Sequence, residues 1–215
     1  MVNPLLEGFK VFRKELFSKD KDFFKKLVKR GQKPKIMIIS CSDSRVDPAL
    51  LFGTRPGELF VVRNVANLVP PYTPDNGYHG VSAAIEYAVR DIAVEHIIIL
   101  GHAFCGGIKA LCDNCKSDKA GINESENNRE FINSWINISE PVVKNFDFSN
   151  WTEKSRSQVE QLSIINSLDN LKTFPWVLDA KNKNKLHLHG WWFDMENAEL
   201  WSKEEGSNGF SKLIF

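Results

Sequence analysis

The stretch Ile36-Met37-Ile38-Ile39-Ser40-Cys41-Ser42-Asp43-Ser44-Arg45 decides how the rest of the chain is read. Four consecutive aliphatic residues with no polar alternation are the pattern of a strand buried on both faces. The polar residues that follow mark where the strand ends. His96-Ile97-Ile98-Ile99-Leu100-Gly101-His102-Ala103-Phe104-Cys105 repeats the arrangement, an aliphatic run delivered directly into reactive side chains. Leu59 to Arg63 and Leu186 to Phe193 read as two further strands. Val81, Ala84, Ile85, Ala88, Val89 and Ile92 recur at i, i+3, i+4, i+7, i+8 and i+11, which predicts an amphipathic helix over residues 80–92. Another helix is predicted from Gly106 to Asp113. Strands alternating with helices predict an α/β fold, a mainly parallel β-sheet core flanked by helices. Chemistry in such sheets gathers at the carboxyl ends of the strands.

Upstream, residues 5–30 read as one or two helices forming an N-terminal helical arm. The expected organisation is a single domain over residues 1–215, with the arm at 1–34 and the α/β body at 35–215. From Lys10 to Lys35 eleven Lys and Arg face three acids, interleaved with Phe9, Phe12, Leu16, Phe17, Phe23, Phe24, Leu27 and Val28. A basic amphipathic helix suits a membrane or nucleic acid. The plainer alternative is a solvated basic face with its apolar side packed on the body or on another subunit. The full chain of 215 residues carries 28 Lys+Arg against 27 Asp+Glu, a net charge of +1, so later acids restore neutrality. That balance offers no footprint for nucleic acid or an anionic membrane. No secretory signal is visible and the aliphatic runs are too short to span a bilayer. The expected compartment is the cytoplasm, where Cys41, Cys105, Cys112 and Cys115 would be thiols or metal ligands rather than disulfides. Residues 120–172 are polar and Asn-rich, and read as helical with Trp135 and Trp151 as apolar anchors.

Two strand ends carry the chemistry. Side chains alternate along an extended segment, so Cys41 and Asp43 point the same way. His102 and Cys105, three apart at a strand-to-helix turn, can converge, and Gly106 and Gly107 let the backbone approach closely. Two thiolates and one imidazole, with a fourth position open or filled by a carboxylate, meet the needs of a catalytic zinc site; structural zinc is usually closed by four ligands. Either half alone is weak, since a buried cysteine on a strand is usually packing. Their shared place at parallel strand ends, with Asp43 and Arg45 beside them, favours a metal.

Cys41-x-Asp43-x-Arg45 followed by His102-x-x-Cys105-Gly106-Gly107 resembles the β-class carbonic anhydrases. Gly31 to Lys35, Pro56 to Tyr72, Ala83 to Val89 and Gly106 to Leu111 are similar to the plant-type branch of that family. The similarity is strong over roughly residues 30–112 and continues weakly through Phe174 to Val177 and Leu188 to Asp194. The resemblance implies a carbonate dehydratase, a zinc lyase that hydrates CO2 reversibly to bicarbonate and a proton by zinc-bound hydroxide. It implies one Zn2+ per subunit on Cys41, His102 and Cys105. Asp43 would accept a hydrogen bond from the zinc-bound water, and Arg45 would hold Asp43. Gln32 would donate an amide hydrogen bond to substrate, while Phe60, Val65 and Tyr87 would line an apolar cleft. It further implies a homo-oligomer with the dimer as its minimal unit, a tetramer or octamer being open, and a subunit-clasping role for the arm. One branch of the family places Trp and Gly just before the first cysteine and swaps the aspartate onto zinc. Ile38 and Ser40 stand at those positions here, which points to a site that stays open. A carbonyl sulfide or carbon disulfide hydrolase of the same fold would share these ligands. A non-catalytic zinc-binding protein would need neither Asp43, Arg45 nor Gln32.

Other candidates have plain explanations. Cys112-x-x-Cys115 lacks a second pair and reads as ordinary helix-end cysteines. His187 and His189 share one side of a strand and read as polar strand residues, and His79 and His96 have no evident convergent partner.

Overall fold

The computed structural model describes residues 2–119, 129–144, 146–148, 152–204, 206–207 and 209–215. The chain divides into two compact units, Met1–Lys33 and Pro34–Phe215. In the first, helix α1 (Asn3–Val11) starts with a proline in its first turn, where a missing N–H costs nothing, and runs on through a π-helical turn at Phe12–Phe17. Helix α2 (Lys21–Arg30) is capped by Asp20, whose carboxylate accepts the Phe23 N–H at 3.3 Å. Phe12 and Phe17 pack on Phe24 with ring centroids 5.7 and 5.2 Å away. Leu5, Leu6, Phe9, Val11 and Leu16 remain more than half exposed, so much of the arm's apolar stripe is unused within its own unit.

The second unit holds β1 (Ile36–Cys41), α3 (Pro48–Leu51), β2 (Leu59–Asn64), α4 (Gly80–Glu86), β3 (His96–His102), α5 (Gly106–Lys119), α6 (Ile132–Ile136), α7 (Glu140–Val143), α8 (Glu153–Thr173), α9 (Pro175–Asn182), β4 (His187–Asp194), β5 (Glu199–Lys203) and β6 (Phe210–Lys212). Among the described residues the strands form one sheet in the order β2-β1-β3-β4-β5-β6. The first three pairings are parallel and the last two antiparallel. The mainly parallel α/β architecture is therefore observed. The sequence pattern missed β5 and β6, which are too short and mixed in composition to stand out. The helix expected over 80–92 is α4 followed by a π turn at Tyr87–Ile92, closed by Ala93 at φ 59°; apolar spacing does not encode that wider hydrogen-bonding loop. The polar region expected to be helical contains α6, α7 and most of α8, while residues 120–128 and Trp151 lie outside the described residues.

Both faces of the central strands are covered, which is why their sequences run without alternation. Met37, Ile39, Ile97 and Ile99 pack with Ile85, Ala88, Ile164 and Leu171 on one side. Ile38, Ile98 and Leu100 pack with Val46 on the other. The register of β3 against β4 sets His96 opposite His187 and Ile98 opposite His189. His96 does have partners, contrary to expectation: its Nδ1 lies 3.1 Å from His189 Nε2, and its ring stacks on His187 at 5.2 Å. His79 also has one, Asp75 at 2.6 Å. Strand pairing and local folding created these contacts, and spacing alone does not show them. Among the described residues no helix is long and apolar enough to cross a membrane.

Helix α8 lies so close to β3 that a Cβ on Gly101 would stand 2.7 Å from Ile164 Cδ1. Ile164 is fully buried and has little room to yield. Gly101→Ala should cost about 1–3 kcal/mol by overpacking. In an Ile164→Val background, which lacks that Cδ1, the loss should be smaller; urea denaturation of the four proteins checks this.

Candidate metal centre

Strands β1 and β3 run side by side and in register, Ser40 opposite Leu100, so their carboxyl ends release Cys41 and His102 within one residue of the same level. The chain then turns through Phe104, held at φ 59°, and Cys105 enters the start of α5. Cys41 Sγ and Cys105 Sγ stand 3.9 Å apart. Two sulfurs each about 2.3 Å from a tetrahedral zinc would stand about 3.8 Å apart. His102 is fully buried, and its Nδ1–H donates to the Ala103 carbonyl at 2.8 Å. A carbonyl only accepts, so this bond leaves the Nε2 lone pair facing the sulfurs. Nε2 is buried with no hydrogen-bond partner. Among the described residues, Cys41, His102 and Cys105 form the one group of three such donors whose ligand atoms all lie within 4.8 Å of one another. An orphaned imidazole nitrogen between two sulfurs at that separation fits a metal ion.

The charges around this group are arranged pairwise. Hydrogen bonding with Cys105 lowers the Cys41 thiol, against the opposing effect of burial, and His102 adds to the lowering. The same bond raises Cys105 well above an ordinary thiol, and burial raises it further. Both thiols give up their protons when they ligate a metal. Asp43 Oδ2 lies 3.9 Å from His102 Nε2. Arg45 grips Asp43 through Nε to Oδ1 at 2.9 Å and Nη2 to Oδ2 at 2.8 Å, and the Arg45 backbone N–H adds a third bond to Oδ1. Those bonds hold the Asp43 carboxyl well below the usual carboxylate range. A depressed carboxylate contributes stability above its unfolded value, about 3.9, and loses it only as pH falls through the folded value. The Asp43–Arg45 pair therefore persists throughout the neutral range.

The remaining expected site residues are spread more widely. Phe60 and Tyr87 meet with ring centroids 6.0 Å apart. Val65 packs against the ligand turn; a Cβ on Gly107 would stand 2.8 Å from Val65 Cγ1. Val65 also lines a cavity of about 710 Å³ with Asn64, Trp135 and Ile138. Trp135, the expected anchor, donates its indole N–H to the Val65 carbonyl at 2.7 Å. Gln32 lies in the N-terminal unit, exposed after the end of α2. Cys112 is buried in an apolar cluster, and that burial pushes its thiol up to about 12, which favours the protonated form near neutral pH.

The carbonic anhydrase family model matches residues 36–200. A carbonic anhydrase of Pseudomonas aeruginosa is 35% identical over 214 residues, covering 99% of this chain and 92% of that protein. The solved β-carbonic anhydrase CcaA is 31% identical and matches with a TM-score of 0.85 over 99% of this chain and 92% of its own. The chain belongs to the β-carbonic anhydrase family. A tetrameric β-carbonic anhydrase from the filamentous ascomycete Sordaria macrospora is 27% identical, with a TM-score of 0.78 over 97% of this chain and 98% of its own. Family membership makes this β-carbonic anhydrase a carbonate dehydratase, a lyase.

Two residues at this carbonic anhydrase centre escaped the sequence reading. Arg63, at the end of β2, donates Nε to the Cys41 carbonyl at 3.0 Å and Nη2 to the carbonyls of Asp43 and Val46 at 2.6 and 2.7 Å. It ties down the loop that carries Asp43. Glu160 on α8 is 3% exposed and accepts the Cys105 N–H at 3.1 Å. Burial pushes its carboxyl up to about 7, against the lowering effect of that bond and of the Trp192 indole. The available signal was a charged residue on the buried face of a helix: Val159, Glu160, Ser163, Ile164, Ser167, Leu168 and Leu171 share that face.

Two outcomes are expected. In the metal-free protein, Arg45→Gln should move the Asp43 titration upward toward an ordinary carboxyl, read from side-chain carboxyl NMR shifts. Added Co2+ should produce a thiolate charge-transfer band that Cys41→Ser and Cys105→Ser each weaken and Cys112→Ser leaves intact, read by absorbance titration.

Proposed function

We propose that this chain hydrates CO2 reversibly to bicarbonate and a proton, with one zinc ion per subunit on Cys41, His102 and Cys105. The observation that carries this reading is the convergence of two sulfurs and an unpartnered imidazole nitrogen beside a carboxylate already gripped by arginine. Sulfur and imidazole donors suit zinc. When bound, zinc would supply the Lewis acidity that makes a water molecule nucleophilic.

The protein's own groups do the rest. Asp43, ionised and held by Arg45, accepts a hydrogen bond from the attacking water and aims its lone pair at the carbon of CO2. The two-pronged grip of Arg45 also keeps Asp43 from swinging in to fill the fourth ligand position, in keeping with Ile38 and Ser40 upstream. Gln32 donates to the oxygen on which charge develops, a neutral donor that does not trap the bicarbonate product. Phe60, Val65 and Tyr87 offer an apolar lining, and CO2, without a net dipole, needs little more. Proton transfer to buffer completes the cycle. We place the chain in the plant-type branch and in the cytoplasm, as a homo-oligomer built from dimers with no nucleic-acid or membrane partner. The tetrameric state of the Sordaria macrospora relative supports the oligomer.

Two thiolates cancel the charge of the dication and so acidify water less than three imidazoles do. The hydration rate should therefore rise with pH into the alkaline range. Stopped-flow CO2 hydration with metal analysis tests both points. Asp43→Ala should lose at least about 100-fold in rate with zinc retained, and Cys41→Ser should lose zinc and activity together. Wild-type protein without metal, or Cys41→Ser with unchanged activity, would overturn the proposal.

A further inference from the structure

We infer that Glu160 is a positioning residue for the metal centre, locking the backbone of Cys105 to the sheet through Trp192. The inference rests on the metal-site reading above and concerns a residue outside the ligand set. Glu160 is 3% exposed, and a carboxylate is seldom buried so completely. Burial of this kind is costly unless the oxygens find donors. Both do: the Cys105 backbone N–H and the Trp192 indole N–H each approach a different oxygen to 3.1 Å. The group serves as a two-ended acceptor between two parts of the fold.

Those two parts are the ones that must be registered for a metal to be held. Cys105 stands where α5 begins; its carbonyl accepts the Lys109 N–H at 3.0 Å, while its own N–H has no partner within the helix. The residue before it, Phe104, has φ 59°, a conformation that a bulky side chain adopts only when its surroundings enforce it. Helix α8 supplies that enforcement twice, since Arg156 lies 5.5 Å over the Phe104 ring one turn before Glu160. Trp192 belongs to β4 and pairs with Gly101, immediately before His102. One carboxylate thus spans from the strand beside His102 to the backbone of Cys105. Another buried polar group of α8 reaches elsewhere: Ser163 Oγ bonds Ser139 Oγ at 2.8 Å.

Three measurements test this: zinc release to a chelator from the zinc-loaded protein, the thiolate band after cobalt substitution, and the thermal midpoint of the metal-free form. Glu160→Ala should release zinc about 10- to 100-fold faster, the usual penalty for removing a group that orients a ligand. Glu160→Gln keeps one acceptor oxygen but turns an amide N–H2 toward the other donor, so it should fall between wild type and alanine and shift the cobalt band. Ser163→Ala, which removes a buried bond from the same helix, should lower the thermal midpoint while leaving release and band unchanged. The inference fails if Glu160→Gln matches wild type in release rate and cobalt band, or if Ser163→Ala accelerates release as much as Glu160→Ala does. If alanine prevents folding, the glutamine variant decides alone. Wild-type protein that holds no zinc would instead defeat the metal reading itself, a result distinct from either failure.

Discussion

The parallel pairing of β1 with β3 is the constraint on which everything else depends. Because the two strands run in register from Ile36 opposite His96 to Ser40 opposite Leu100, they end within one residue of each other. Cys41 and His102 are thereby delivered to one spot from places 61 residues apart in sequence. A one-residue slip would turn the aliphatic side chains to opposite faces and send the ligands apart. The fully buried aliphatic residues on both faces of these strands make such a slip costly, so the core and the site are specified by the same packing.

Around that meeting point, each charged or polar group is restrained by a partner, two of them near in the chain and two from distant elements. Arg45 holds the Asp43 carboxylate, and Arg63 holds the loop carbonyls around it. The Ala103 carbonyl orients His102, and Glu160 secures the N–H of Cys105. The result is a preorganised set: donors converge while their alternatives, such as Asp43 turning inward, are occupied. Preorganisation of this sort matters most for a small substrate with little surface of its own to bind. The near-neutral charge of the chain fits such a substrate, which gains nothing from long-range steering.

Much of this was legible in the linear sequence, and the exceptions share a cause. Ile36 to Ile39 and Ile97 to Leu100 announced buried strands, and the reactive residues directly after them announced the site. By contrast, β5 and β6 carry no strong periodicity and exist because β4 offers them an edge. The π turn after α4 keeps the apolar spacing of an ordinary helix. The bond between His96 and His189, 93 residues apart, arises from the β3–β4 register. Arg63 and Glu160 looked like a strand-end cation and one more helix acid; nothing in their neighbours along the chain shows what they reach.

The sequence by itself determined the alternation of strands and helices, the three metal donors and the Asp43–Arg45 pair two residues apart. These follow from local periodicity and short spacing, which act within a few residues. Only the tertiary structure decided that the donors converge, that His102 offers Nε2, and that Glu160 and Trp192 brace Cys105. Those facts depend on strand register and on how closely α8 lies over the sheet. Both are set by the summed packing of distant side chains, which no single stretch of the chain records.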